Sequence, residues 1–532
     1  MKKLRLNTAD LLTRGYFPDR VIPPVTSSAL RPAVPDLEAA ARLFGKKLRS
    51  RSVQHSVPKR KHLRRILCFP NPVHQTLLAS AVEKHWATIQ KFCSQSPLSI
   101  SVPVLSTSRA VESCFDRSEQ PAHRALRSVG SRYLLKTDLS RFYPSIYTHS
   151  IPWAIHGKAA ARRNKKLYGN YLDECARGTQ DKQTGGIPIG RDTSFVLGEV
   201  VASAIDVRLK ERIRKLKGTR YIDDYYLYFE TLAETERALS ILHKVAKESE
   251  LELNDLKTEI TPLPEAFEPA WKAELRGMQI RSAIGPQSTD LLSLFNRGFE
   301  LATQFPQDSV LTYIAKQVIS TTIDASNWEL CQSLLLRATV GEPTMLSVLL
   351  DVVQKNISSV TDRRPIGTAV FSLCSYHAPL QQGNEVAWAL WLAKQLEIKI
   401  PKAVAKTVAG VDDDVVALIS LDLQEAGLFA PVDTSLWKQH MRKDELYGEH
   451  WLLAYEALGQ GWLASLSRRD YISPDPIFSV LQNHDVRFYD RRPTLVSVST
   501  DDYPGLDDHT VTHQIPDRLL KLLTAGKTVP SE

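Results

Sequence analysis

The sequence predicts an α+β N-terminal half organised on a small antiparallel sheet, followed by an all-α C-terminal half of repeating helices. Three observations lead there. RYLLKTD at Arg132 to Asp138 and TRYIDDYYLYF at Thr219 to Phe229 are short strand texts carrying acids, and the second reads as a hairpin with Asp223 and Asp224 at its tip. Leu197, Val201, Ile205 and Leu209 fall four apart on one helical face. Beyond about Leu291, segments such as SVLTYIAKQVISTTI, NWELCQSLLLRA, EVAWALWLAKQLE and HWLLAYEALGQGWLASL recur at roughly 35 to 45 residues, a spacing that suits stacked helix pairs.

At 532 residues the chain exceeds what one core holds, and two or three domains are expected. Residues 1–60 form a basic, Pro- and Ser-rich N-terminal segment, with PDRVIPPV and RPAVPD as extended or turn text around a short helix near Leu37 to Leu48. RRILCF then reads as a strand, PNP as a turn, and Val73 to Phe92 as an amphipathic helix, within a unit at 61–130. Residues 131–285 hold the acid-bearing strands. Within them Ser150 serves as an N-cap with Pro152 in the first turn. The loop QTGGIPIGRDTS leads into the helix of Leu197, and a further helix runs near Glu234 to Glu248. LELNDLKTEI and a strand pair ending at Arg276 to Ile280 close this unit, and residues 286–532 are the helical domain. The acids Asp412 to Asp414 read as a helix first turn, where the dipole favours them, in preference to a metal site.

The charge balance is 68 Lys plus Arg against 59 Asp plus Glu, a net of +9, which favours polyanionic partners. Its distribution is uneven. Arg42, Lys46, Lys47, Arg49, Arg51, Lys59, Arg60, Lys61, Arg64 and Arg65 lie between Ala41 and Pro70 with no acid among them, and a second run from Arg208 to Arg220 includes one acid, Glu211. The six cysteines show no CxxC pair or zinc-like spacing, which argues against a disulfide framework or a structural zinc and for a reducing, cytoplasmic setting. No apolar run has signal-peptide or membrane-spanning length.

Asp138, Asp223 and Asp224 are three carboxylates that one small sheet can gather. Alone, the Asp pair reads first as a solvated turn, because Asp caps backbone groups locally. A third carboxylate makes the set suited to nucleotidyl transfer, in which two magnesium ions roughly 4 Å apart activate the attacking hydroxyl and stabilise the leaving oxygen.

LKTDLSRFYPSIY at Leu135 to Tyr147, GGIPIGRDTS at Gly185 to Ser194, YIDD at Tyr221 to Asp224 and LKTE at Leu256 to Glu259 resemble, in order, the palm motifs A, B, C and D of reverse transcriptases. RRILCFPNPVHQ at Arg64 to Gln75 resembles the fingers block before them, and the likeness covers about residues 60 to 285. FYPSIYTHSIPWAIHGK and GIPIG are most similar to the bacterial abortive-infection and defence-associated group, whose members carry a helical-repeat domain in place of an ordinary thumb. The resemblance implies a right-hand polymerase with fingers at 61–130 and palm at 131–285. It further implies an RNA-directed DNA polymerase of an antiphage system, using dNTPs, Mg2+, RNA and DNA, and forming a homo-oligomer. The alternative is a non-catalytic nucleic-acid-binding scaffold with an inactive palm.

Carried over residue by residue, the resemblance makes Asp138 and Asp223 metal ligands, with Asp224 completing the cluster. Tyr143 becomes the aromatic beneath the incoming sugar, with an ordinary core aromatic as its alternative. Arg64 and Arg65 grip the triphosphate or, equally, the template backbone. Gly190 allows close approach of template or nucleotide to the backbone. Lys257 is placed as a general acid for pyrophosphate, and Arg276 to Ile280 as the primer grip. Lys59, Arg60 and Lys61 are expected to bind nucleic acid. Motif B departs from the common Pro-Gln-Gly, having Pro188, Ile189 and Gly190, which leaves untemplated or protein-primed synthesis open. Some defence-associated relatives start from a protein hydroxyl, which makes Tyr447, Tyr455, Tyr471 and Tyr489 candidate primers.

Overall fold

The structure, a computed structural model, describes residues 5–18, 21–60 and 63–491. Three antiparallel sheets are present among them. β1 (Val53–Arg60) pairs with β2 (Leu63–Phe69), and β3 (Pro103–Leu105) with β4 (Val111–Ser113). The central sheet contains β5 (Tyr133–Asp138), β6 (Lys217–Tyr221), β7 (Asp224–Phe229) and β8 (Glu259–Pro262) in the order β6-β7-β5-β8.

Burial in this sheet does not alternate. Leu134, Leu135, Leu227 and Tyr228 are all buried, because both faces are covered, as in strands packed on two sides. The Asp192–Arg212 and Leu232–Glu248 helices pack together, and the second lies against β5 and β7. The Gln120–Ser128 helix packs against β6 and β7 and sets the Arg124 guanidinium 4.1 Å over the Tyr226 ring.

Sequence signals fixed several boundaries closely. Asn71 accepts from the Val73 amide and Pro72 opens the Pro72–Cys93 helix, so the PNP turn is the helix start. The helix expected near Leu37 to Leu48 runs over Val34–Phe44, earlier than expected, because Pro35 suits its first turn and Gly45 ends it. Ser150 is the first helical residue of Ser150–His156 and does not cap it. The expected strand pair at Arg276 to Ile280 is absent: residues Ala270–Gly277 are helical, and β8 finds its partner in β5. A boundary at 60/61 would cut the β1–β2 hairpin at its tip.

Among the described residues after Ile284 the chain is largely helical, and the packing is regular. Ile284–Gln304 packs on Trp328–Gly341, Val310–Ser320 on Leu346–Lys355, Trp328–Gly341 on Arg364–His377, Leu346–Lys355 on Gly383–Gln395, then Gly383–Gln395 on Asp414–Glu425 and the latter on Trp451–Gly459. Each helix therefore meets the next helix but one, the arrangement of stacked pairs. No helix among the described residues is long and apolar enough to cross a membrane.

The array ends where the chain began. The Thr26 amide donates to Phe488 O (2.9 Å), the Asp490 amide to Pro24 O (2.7 Å), and Trp451 Nε1 to Phe69 O (2.9 Å). Phe17, Phe69, Trp451 and Phe488 stack edge-on at 5.1–6.1 Å between ring centres. His55 on β1 is buried against Asp413, with Nδ1 2.8 Å from the carboxylate, so array, hairpin and N-terminal segment share one core.

Candidate active site

Asp138 ends β5 and Asp224 begins β7, and the two are register partners across the antiparallel pair. Asp223 sits in the β6–β7 turn, with its carbonyl accepting from the Leu139 amide at 3.1 Å. The three acids are thus tied to one another through backbone pairing. Burial raises the Asp223 carboxyl to about 6, with the charges of Asp224 and Asp138 adding to the shift. Asp224 is also raised, by burial first, while Arg117 (3.5 Å) and Lys257 pull it back.

The turn is strained and braced. Ile222 has φ of 57°, a left-handed conformation costing about 1–3 kcal/mol for a β-branched residue. Its amide donates to Ser101 Oγ (2.8 Å), and its carbonyl accepts from Arg220 Nη1 (2.8 Å). Arg220 is fully buried, bonded to Glu199 (2.6 and 3.0 Å) and Asp206 (2.7 Å), and Tyr225 Oη donates to Asp206 (3.0 Å). Sequence reasoning missed this network and counted Arg220 in a basic run. KGTRY offered no local signal for it, because Thr219 and Arg220, on opposite faces of β6, are both buried. Arg208 and Arg212 of the same run pair with Glu248.

The segments matching motifs A and B are laced together by backbone. The Gly186 amide donates to Ile146 O, the Ile187 amide to Tyr143 O and the Thr148 amide to Thr184 O, each at 2.9 Å. Tyr143 is half-buried, its ring lying on Gly198 of the Asp192–Arg212 helix, where any Cβ would come within 3.0 Å. Burial first and the charge of Asp223 second push the Tyr143 hydroxyl well up, so the ring both packs in the core and faces the acids. Gly190 has φ of 97°, and a Cβ there would meet Pro18 at 2.5 Å. The close approach it permits in this structure is that of the chain's own N-terminal segment, where a template or nucleotide was expected.

The remaining expected residues divide. Lys257 Nζ bonds Asp138 Oδ2, placing an ammonium at the acid cluster. Arg64 is committed elsewhere: it bonds both carboxylate oxygens of buried Glu385 in the helical array and Ser56 on β1, because the partner strand of its hairpin, β1, lies against that array. Arg65 is exposed, as is Lys59 at the end of β1. Lys61 lies outside the described residues, as does the side chain of Arg60. Within the basic run Arg42 pairs with Glu38, Arg49 with Asp181 and Arg51 with Asp181 and Glu449, so much of its charge is already matched. Arg276 pairs with Glu268 on a helix surface, not on a strand grip.

Three of the candidate primers are core residues. Tyr455 Oη donates to Val486 O, Tyr471 Oη to Ala454 O and Tyr489 Oη to Asp422, each at 2.8 Å. Tyr447 is half-buried and donates to Asp475 (2.9 Å).

The acid cluster fits divalent metal. Asp138 Oδ1 is buried without a hydrogen-bond partner, and Asp223 holds its proton unusually tightly, both of which a hard cation would relieve. Residues 65–280, less than half of the chain, match the family described as reverse transcriptase (RNA-dependent DNA polymerase). No curated protein matches the chain in sequence. Among solved structures, telomerase from Candida albicans in complex with a TWJ fragment of telomeric RNA is similar at 12% identity, covering 65% of this chain and 67% of its own, with a TM-score of 0.28. Apo telomerase from Candida tropicalis is similar at 10% identity, covering 70% and 69%, with a TM-score of 0.32. At such scores the likeness carries no argument. The ordered motifs, the sheet that gathers their acids and the family match agree: residues 65–280 form a reverse transcriptase domain, an RNA-directed DNA polymerase of the nucleotidyltransferase class.

Proposed function

We propose that this chain makes DNA from deoxynucleoside triphosphates by two-metal nucleotidyl transfer, as the polymerase of an antiphage defence system. The observation that carries the chemistry is the register pairing of Asp138 with Asp224 beside Asp223. Magnesium bound there would activate the primer hydroxyl and stabilise the pyrophosphate oxygen. Asp138 and Asp223 would be its ligands, with Asp224 completing the negative cluster. Tyr143, packed on Gly198, would oppose a 2′-hydroxyl. Lys257, bonded to Asp138, would give up a proton to the leaving group.

The defence reading rests on the FYPSIYTHSIPWAIHGK and GIPIG text and on the helical array that follows the palm. Extension of a nucleic-acid primer is favoured over protein priming, since Tyr455, Tyr471 and Tyr489 bury their hydroxyls. Tyr447 alone keeps partial exposure. Plaque assays on bacteria expressing the wild type and Asp223→Ala/Asp224→Ala test the biological reading. Protection by the wild type and none by the variant is expected, and equal protection would sink it.

A further inference from the structure

We propose that Asp412, His440 and His450 form a zinc-class cation site in the helical array, pinning three of its segments and leaving one coordination position open to solvent. Asp412 precedes the Asp414–Glu425 helix, His440 follows the Ser435–Lys438 turn and His450 precedes the Trp451–Gly459 helix. One ligand atom from each lies within 4.8 Å of the others. His440 Nε2 is 3.2 Å from Asp412 Oδ1, and His450 Nε2 is 3.9 Å from the same oxygen.

The acids at 412–414 divide the work. Asp413 caps the helix, accepting from the Val415 and Val416 amides at 2.9 and 3.1 Å. Asp414 is buried, accepts from the Leu453 amide (3.0 Å) and holds His450 Nδ1 at 2.7 Å. A carboxylate on one imidazole nitrogen fixes the ring and directs the other nitrogen's lone pair outward, the usual support for a metal-binding histidine. Asp412 is left free of the cap and faces both histidines, its side chain 45% exposed.

Two imidazole nitrogens and one carboxylate oxygen select zinc or a similar transition ion over magnesium or calcium, which want oxygen alone. Three protein ligands leave a fourth tetrahedral position for water. That position has room: His440 and His450 line a cleft of about 510 Å3 together with Arg49, Arg51 and Tyr447. The two rings stack at 3.6 Å with 25° between their planes, and because each lone pair lies in its ring plane, closing on an ion at about 2 Å per ligand requires the planes to rotate well open from this stack.

The full-length protein, incubated with Zn2+ and desalted, should retain one zinc per chain by elemental analysis, and loading with Co2+ should give the visible d–d bands of a tetrahedral nitrogen–oxygen site. Asp412→Asn and His440→Gln should lose both signals, whereas Asp223→Asn should keep them, which separates this site from the polymerase acids. Asp412→Asn changes an exposed group without changing its size, and its circular dichroism shows whether the fold is retained. Wild type that retains no zinc, or variants that retain it equally, would overturn the proposal.

Discussion

Asp138 and Asp224 face each other as register partners across β5 and β7, so the acids of two distant motifs are brought together by backbone hydrogen bonds before any ligand is present. This prepayment has an electrostatic cost. Burial first, and then like charges held together on a partly buried sheet end, raise a carboxyl's proton affinity, as Asp223 shows.

The first prediction concerns pH and stability without metal. The folded value of Asp223, about 6, lies above its ordinary 3.8, so the folded state is penalised when the group ionises. The penalty is absent below about 3.8, grows as pH rises from there to about 6, and is complete above that, at on the order of 2–3 kcal/mol. In chelator, Asp223→Asn should raise Tm near pH 8 and leave it nearly unchanged near pH 3. Melting curves whose difference is independent of pH would contradict this.

Tyr143 is the second subject. Its ring rests on Gly198 and faces Asp223. Tyr143→Val should raise the kcat/KM of ribonucleotides relative to deoxynucleotides by about ten-fold or more, since discrimination is a difference in transition-state binding. An unchanged ratio with lowered Tm would mark a packing residue only.

A third test separates two roles for Arg64. If its bond to Glu385 mainly docks the array on the β1–β2 hairpin, Arg64→Ala and Glu385→Ala should each destabilise by roughly 2–4 kcal/mol, with strong non-additivity in the double variant. A normal melting curve combined with a raised KM for dNTP would return Arg64 to the triphosphate.

The tip of the same hairpin supplies a fourth. Neutralising Lys59, Arg60 and Lys61 together should weaken RNA binding and flatten its dependence on salt, by up to about three units of the log–log slope. Equal slopes for variant and wild type would make the tip an ordinary solvated turn.

The strands, the acids and the motif order were legible because they depend on local text: RYLLKTD and TRYIDDYYLYF are runs of strand formers that carry their own acids. Arg220 and Arg64 were not. Each looks like surface charge in sequence, and only tertiary packing supplies Glu199, Asp206 and Glu385 as partners. The same holds for Asp412, whose histidines arrive from segments 28 and 38 residues further on (440 − 412 and 450 − 412). The four tyrosines could not be sorted by composition, because burial of a hydroxyl depends on which carbonyl or carboxylate lies opposite it.

The most direct test of the account is incorporation of labelled dNTP on an RNA template with a DNA primer and Mg2+, comparing wild type with Asp223→Ala/Asp224→Ala. The account predicts template-complementary extension by the wild type, abolished by chelator and by the double substitution while RNA binding is kept. Extension by the variant at the wild-type rate would contradict the assignment of catalysis to Asp138, Asp223 and Asp224.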